Sequence, residues 1–330
     1  MIVSLHDRAD AEFVRRELAA RGLWATPLAD ASGKVRHFSV ACVAQGRPRG
    51  GGRHEGVAGV ASLPKRAPRV DAQGLVVDVG GVKVGGGAPV FSAAVRGRER
   101  GPGERAIAAR VAKAGAKFLR GGAFKPRTSP YAFQGHGDEG LRWLRAAGDA
   151  HGLKVVTEAM GEVEAPRVAE WCDVVQVGSR NMQNFSLLKA LGRCGRPVLL
   201  KRAMSATVEE WLLAGEYLLS HGAPGVIFCE RGIRGFDDAT RNLLDLGAVA
   251  LLSTVYGLPV VVDPSHATGR RDLVLPLARA ALAAGAAGVM IETHDDPGRA
   301  LSDGPQALTP AELDQTLRAL GATRGDTEEA

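Results

Sequence analysis

Aromatic residues are scarce in this chain, with Phe, Tyr and Trp making up only 5% of its 330 residues. So few rings count against the stacked platforms on which single-stranded nucleic acid is bound. Charge of one sign does not gather either. The net charge is +6 and the pI near 9.3, yet 42 Lys and Arg are interspersed with 36 Asp and Glu. Without a basic block, neither nucleic acid nor a membrane surface is the expected partner. Four cysteines, Cys42, Cys172, Cys194 and Cys229, form no CxxC pair and no disulfide-framework spacing. Cys172 and Cys229 lie in apolar runs and read as buried thiols of a reducing compartment. No window reaches eighteen apolar residues, because Arg279 interrupts the alanine-rich run after Leu273. The opening Met-Ile-Val-Ser-Leu-His-Asp-Arg lacks the apolar stretch of a signal peptide. A soluble, cytoplasmic protein is expected, with some of its cations serving small anionic ligands.

What is present falls into two textures. In residues 1–70, strand-like runs at Ile2–Leu5, Trp24–Leu28, Val35–Val43 and Val57–Leu63 surround one amphipathic stretch, Asp10–Arg21. Where a second helix would complete a βαββαβ module stands Gln45–Glu55, rich in Gly and Arg. This predicts a degenerate α+β ferredoxin-like module, followed by a basic, proline-containing linker over 64–74. The remaining chain, residues 71–330, is regular. Eight short β-branched runs alternate with Ala- and Leu-rich helical stretches: Val90–Val95, Lys117–Leu119, Lys154–Thr157, Val174–Val177, Val198–Lys201, Val226–Cys229, Val260–Asp263 and Val289–Glu292. Most of these runs are short, apolar and led by a glycine, proline or aspartate turn, as suits strands buried on both faces. Eight such repeats predict an α/β fold of the (β/α)8 TIM-barrel kind. A doubly wound sheet is the alternative, but no GxGxxG follows a run to support it.

In such a barrel, function sits at the carboxyl ends of the strands. Those ends here read Arg120-Gly-Gly-Ala-Phe-Lys125-Pro-Arg127-Thr128, Thr157-Glu158, Gly178-Ser-Arg180-Asn181, Lys201-Arg202, Glu230-Arg231, Asp263-Pro-Ser-His266 and Glu292-Thr-His294, with Asp303 beyond. Each side chain alone is unremarkable, but the recurrence of cations at one point in repeat after repeat predicts an electrostatic trap for a polyanion. Small residues and Pro126 and Pro130 would let the first of these loops approach a ligand closely while holding it rigid. His266, Glu292 and Asp303 add nitrogen and oxygen donors suited to a divalent metal.

These segments, together with Val-Val-Thr-Glu-Ala-Met, Cys-Glu-Arg-Gly-Ile-Arg, Asp-Pro-Ser-His-Ala-Thr-Gly-Arg-Arg-Asp and Leu-Ser-Asp-Gly-Pro-Gln, resemble type I 3-deoxy-D-arabino-heptulosonate 7-phosphate (DAHP) synthase, in the branch with a small N-terminal ferredoxin-like domain. The resemblance spans about residues 75–320. It implies a transferase that condenses phosphoenolpyruvate with erythrose 4-phosphate, the entry step of the shikimate pathway and of aromatic amino acid biosynthesis. By the same resemblance, Arg120, Lys125, Arg180, Lys201 and Arg231 would hold phosphoenolpyruvate, with Glu158 in the same substrate set. Arg127 and Thr128 would take the sugar phosphate, and Lys125 and His266 would act in the chemistry. His266, Glu292 and Asp303 match three of the family's four metal ligands. A homo-oligomer, dimer or tetramer, is also expected.

One stretch departs from the family. Its first barrel strand ends in Gly-Pro-Cys, the Cys being the fourth metal ligand. This chain reads Phe91-Ser-Ala-Ala-Val95-Arg96-Gly-Arg98-Glu99-Arg100, with Arg96 nearest the missing Cys. Losing the one soft ligand shifts preference towards Mn2+ or Mg2+, or leaves the protein weakly metal-dependent or metal-independent. A paralogue using another aldose phosphate, or a non-catalytic metabolite-binding homologue, remains an alternative. The related synthase of the eight-carbon sugar acid resembles Lys-Ala-Asn-Arg-Ser-Ser where this chain has Lys-Pro-Arg-Thr-Ser, which favours the four-carbon sugar. In the matching branch the N-terminal module carries feedback control by an aromatic amino acid. Because Gln45–Glu55 cannot supply an apolar helix face, that control is expected to be weak or absent.

Overall fold

The computed structural model describes residues 2–20, 23–30, 32–42, 57–61, 67–95, 102–125, 129, 131, 133–300 and 304–322. Two compact units divide the chain, Met1–Arg66 and Ala67–Ala330.

In the first unit β1 (Ile2–Leu5), β2 (Leu23–Ala29), β3 (Val35–Cys42) and β4 (Val57–Ala61) form a sheet of order β2-β3-β1-β4. Its pairings are antiparallel. The helix Ala11–Ala20 starts where the Asp10 carboxylate accepts the backbone N–H groups of Glu12 and Phe13, as an N-cap does. Val14 and Leu18, four residues apart on one helix face, pack with Val3, Phe38 and Val40 into a small core. The segment Gln45–Glu55 lies outside the described residues.

The second unit begins with a helix, Pro68–Gln73, where the sequence led us to expect linker. Long-range partners explain it: the Glu216 carboxylate accepts the N–H groups of Arg69 and Val70, and the Gln73 side chain bonds both to the N–H and to the C=O of Val226. A hairpin follows, β5 (Val77–Val79) and β6 (Val82–Val84). Its turn residues Gly80 and Gly81 both have positive φ, +54° and +90°, the backbone that a two-residue hairpin loop requires.

Eight parallel strands then close into a barrel: β7 (Val90–Val95), β8 (Phe118–Gly121), β9 (Lys154–Glu158), β10 (Val174–Val177), β11 (Val198–Lys201), β12 (Val226–Glu230), β13 (Val260–Val262) and β14 (Gly288–Thr293), with β14 pairing back onto β7. Each of the eight expected runs contains a strand, and several extend further; β8 continues past Leu119 and takes in Arg120, whereas β13 stops at Val262 and leaves Asp263 as a helix N-cap. Because side chains alternate along a strand, each strand serves two cores. Phe91, Leu119, Val155, Val175, Leu200, Phe228, Val262 and Ile291 face the surrounding helices. Phe118, Val156, Val174, Leu199, Cys229, Val261 and Met290 fill the interior, closed by Val77, Val79 and Val84 of the hairpin.

Candidate functional site

The same alternation builds the site. Two residues beyond the last interior apolar side chain comes a polar one, in strand after strand: Arg120 after Phe118, Glu158 after Val156, Gln176 after Val174, Lys201 after Leu199, Arg231 after Cys229, Asp263 after Val261 and Glu292 after Met290. All seven are buried. The interior therefore changes from apolar to charged within one register step, at the carboxyl end of the barrel.

Six of these groups, all but Arg231, form one connected chain through His266. Arg120 Nε donates to Gln176 Oε1 at 3.2 Å, and Gln176 Nε2 donates to Glu158 Oε2 at 2.8 Å. The Arg120 guanidinium also lies 3.8 Å from Glu158 Oε2 and 3.6 Å from Glu292 Oε1. Glu292 Oε1 is 3.2 Å from His266 Nε2. His266 Nδ1 and Lys201 Nζ each stand 2.6 Å from Asp263 Oδ2. Asp263 is also the N-cap of the short helix Pro264–Thr268, its Oδ1 accepting the His266 N–H at 3.0 Å. Gln306 Nε2 donates to Glu292 Oε2 at 2.9 Å, and Ser265 Oγ accepts the Glu292 N–H.

Burial and pairing set the charges. Burial pushes the Glu158 carboxyl above the usual carboxylate range, against the opposing pull of Arg120 and Lys201. Burial would raise Asp263 too, but His266 and Lys201 hold it well below that range. Burial lowers His266, even though Asp263 and Glu292 favour its charged form. A neutral His266 beside an ionised Asp263 carries its proton on Nδ1, which leaves the Nε2 lone pair facing Glu292 Oε1. Three atoms in this buried region remain without a partner among the described residues: Glu158 Oε1, Arg231 Nη1 and Gln306 Oε1. Unpartnered buried acceptors and a donor at the mouth leave hydrogen-bonding capacity for a ligand or ordered water.

Gly178 makes room for Glu158. A Cβ there would fall 2.1 Å from Glu158 Oε1, so any larger residue forces that carboxylate to shift. Arg180, on the turn Ser179–Asn181 just beyond, is exposed. Lys125 opens the loop after β8: its N–H donates to Gln134 O at 2.9 Å, and its Nζ lies 5.6 Å from the centre of the Phe133 ring. Arg96, Arg127, Thr128 and Asp303 lie outside the described residues.

Two strand-end residues expected at the mouth point elsewhere. Arg202 and Glu230 have the opposite parity to Lys201 and Arg231, and Arg202 contacts Trp211 of the outer core. Conversely Gln176, Ser265, Gln306 and the role of Asp263 were not singled out from sequence. Counting two residues on from the last interior apolar position would have found Gln176 and Asp263.

For a metal, His266 Nε2 and Glu292 Oε1 are suitably placed: donors about 2.1 Å from one ion stand roughly 3–3.5 Å apart, and these are 3.2 Å apart. Among the described residues no third His, Cys, Asp or Glu joins them. The pair fits part of a coordination shell.

A model of the DAHP synthetase I family matches residues 104–329. The chain belongs to that family. A phospho-2-dehydro-3-deoxyheptonate aldolase of Thermotoga maritima is 52% identical over 236 residues, covering 71% of this chain and 69% of that protein. A 2-dehydro-3-deoxyphosphooctonate aldolase of Synechococcus is more distant, 32% identical over 209 residues, 59% of this chain and 73% of that one. A crystal structure of the Thermotoga maritima phospho-2-dehydro-3-deoxyheptonate aldolase (DAHP synthase) matches with a TM-score of 0.73 at 39% identity, over 96% of this chain and 95% of that one. A truncated form of the synthase from the same organism matches with a TM-score of 0.68 at 45% identity, over 74% and 90% of the two chains. The DAHP synthetase I family is generally metal-dependent.

Proposed function

We propose that this chain is a 3-deoxy-7-phosphoheptulonate synthase that condenses phosphoenolpyruvate with erythrose 4-phosphate, giving DAHP and inorganic phosphate. The observation that carries the reading is the buried, cation-rich barrel mouth, with Arg231 Nη1 and Glu158 Oε1 unpartnered, in a chain of the DAHP synthetase I family. The 52% identity to a heptonate aldolase, against 32% to an octonate aldolase, favours the four-carbon aldehyde over a five-carbon one.

Arg120, Lys201 and Arg231 hold the phosphate and carboxylate of phosphoenolpyruvate, with Arg180 and Lys125 closing over it from the rim. Arg127 and Thr128 take the sugar phosphate. In the reaction the enol carbon of phosphoenolpyruvate bonds to the aldehyde carbon, and the aldehyde oxygen becomes an alkoxide that receives a proton from Lys125. Water adds at the neighbouring carbon, and the C–O bond to phosphate breaks to release the ketone. The buried cations stabilise negative charge on the tetrahedral phosphohemiketal without reorganising. His266, Glu292 and Asp303 would hold a divalent metal, Mn2+ or Mg2+, which supplies a Lewis acid for the aldehyde oxygen. With no thiolate in the set, that metal is weakly bound.

The four-stranded order of the first unit supports a ferredoxin-like module over residues 1–66, followed by a catalytic barrel unit over 67–330. The assembly we propose is a homo-oligomer, dimer or tetramer, as the family resemblance implies. Among the described residues no helix is long and apolar enough to cross a membrane, which agrees with a cytoplasmic enzyme. The test is phosphate release from phosphoenolpyruvate with erythrose 4-phosphate, arabinose 5-phosphate or no aldehyde. Release with erythrose 4-phosphate alone supports the reading; no release with any aldehyde overturns it.

A further inference from the structure

Directly behind the mouth lies a second buried ionic cluster that the chemistry does not use. Arg202 follows Lys201 and Glu230 precedes Arg231, so strand alternation turns both away from the barrel interior. The outer layer beside them is packed by apolar Leu200, Phe228, Val262 and Ile291. One guanidinium nitrogen, Arg202 Nη1, donates to Glu230 Oε2 at 3.0 Å and to Asp245 Oδ2 at 2.8 Å. Arg202 Nε donates to Ala206 O at 3.1 Å, and its guanidinium carbon sits 5.6 Å from the centre of the Trp211 ring. That ring is fixed in turn, its Nε1 donating to Leu200 O at 3.1 Å.

Each carboxylate also grips backbone with its other oxygen. Glu230 Oε1 accepts the Gly232 N–H at 2.7 Å, just past Arg231. Asp245 Oδ1 accepts the Ala248 N–H at 2.9 Å and caps the helix Leu246–Ala250. Between these anchors the chain is drawn together by reciprocal backbone bonds of 2.9 Å between Ile233 and Leu243. A single side chain thus joins the end of β11, the end of β12 and the base of the loop that begins with Arg231. Buried ions are seldom the most stabilising filling for such a space, since apolar side chains of similar volume do as well or better. What they supply here is direction, because a guanidinium shared by two carboxylates tolerates little displacement.

We propose that Arg202, Glu230 and Asp245 form a positioning brace that sets the Lys201 ammonium and the Arg231 guanidinium for phosphoenolpyruvate. This rests on the reading that Lys201 and Arg231 bind that substrate. The brace touches no substrate atom; it fixes the backbone from which two substrate-binding side chains project. Loosening it leaves both cations present and charged but misplaced.

The test compares the full-length chain with Glu230→Gln, Asp245→Asn and Arg202→Lys. Phosphoenolpyruvate binding is measured by calorimetry, KM for each substrate by kinetics, and folding by cooperative thermal melting. Asp245 is partly exposed, and an Asn there keeps an oxygen for the helix cap, so this variant carries the test should Glu230→Gln not fold. Expected is a loss of about tenfold in phosphoenolpyruvate affinity for the Gln and Asn variants, with the KM of the aldose phosphate little changed. Arg202→Lys, able to serve one carboxylate but not both, should fall between them and the wild type. In a Lys201→Ala background the Glu230→Gln loss should shrink, since one of the groups being positioned is gone. Unchanged phosphoenolpyruvate affinity in folded Glu230→Gln and Asp245→Asn overturns the brace alone. So does a Glu230→Gln loss that is undiminished in the Lys201→Ala background. A wild-type chain that does not bind phosphoenolpyruvate overturns the substrate reading, and the brace with it.

Discussion

Replacing Lys201 by Met or Ala puts the assigned anion site to its most direct test. Lys201 ends β11 almost fully buried, its Nζ 2.6 Å from Asp263 Oδ2. Asp263 keeps a second partner in His266, also at 2.6 Å, so the variant does not strand a carboxylate without hydrogen bonds. The main loss therefore falls on the ligand. Truncating one partner of a buried charge pair costs about 2–4 kcal/mol, which raises the dissociation constant of phosphoenolpyruvate roughly 30- to 700-fold. Lys201→Met, which keeps the apolar stem, should lose as much affinity as Lys201→Ala but less stability, which separates charge from packing. Arg180 is exposed, so solvent screening limits Arg180→Ala to about 1 kcal/mol, or roughly fivefold. Calorimetry on the free enzyme reads both constants, and thermal melting reports whether each variant is folded. Wild-type affinity in a folded Lys201→Met would refute the assignment.

The Gly178→Ala variant should bring its Cβ to within 2.1 Å of Glu158 Oε1, displace that carboxylate, cost about 1–3 kcal/mol of stability and reduce turnover; a crystal structure showing Glu158 unmoved would count against it. Asp173 is held below the usual carboxylate range: burial opposes this, but Arg145 and the Val155 N–H, each at 2.7 Å, prevail. A depressed carboxylate adds stability above its unfolded value near 3.9 and loses it as pH falls through the lower folded value. The melting difference between wild type and Asp173→Asn should thus be about 1–3 kcal/mol at pH 7 and close below about pH 4; a gap independent of pH would contradict the pairing. With two placed donors and no thiolate, the purified protein should carry well under one tightly bound metal per chain, and chelator-treated enzyme should respond to Mn2+ or Mg2+ rather than require a thiophilic metal. One tightly held metal per chain, essential for activity, would show otherwise. Deleting residues 1–66 should leave the response to tyrosine or phenylalanine unchanged; strong inhibition that disappears on truncation would overturn the view that the N-terminal module has lost its regulatory role.

The barrel was legible in the sequence because its strands are short, apolar and bounded by turn residues; Val90–Val95, Val174–Val177 and Val198–Lys201 have the same limits in the structure. The helix Pro68–Gln73 was not. Its N–H groups are satisfied by Glu216 and its side chain by Val226, partners about 150 positions away, and no local pattern encodes them. A proline-containing basic stretch reads as linker until such partners are known.

The site was legible as a set of residue types but not as a set of directions. Lys201-Arg202 and Glu230-Arg231 both present a charged pair at a strand end, and composition cannot say which member faces the mouth. Parity can. Cys229, two residues before Arg231, packs in the barrel interior, whereas Phe228, two before Glu230, packs against the helices. With a side-chain period of two, Arg231 then faces inward and Glu230 outward, and Leu199 and Leu200 divide Lys201 from Arg202 in the same way. The sequence could have supported this argument only with the two cores already told apart, and both cores are built from the same Val, Leu, Ile and Phe. Closure of the barrel breaks that ambiguity, because only then does one face of every strand look towards a common axis.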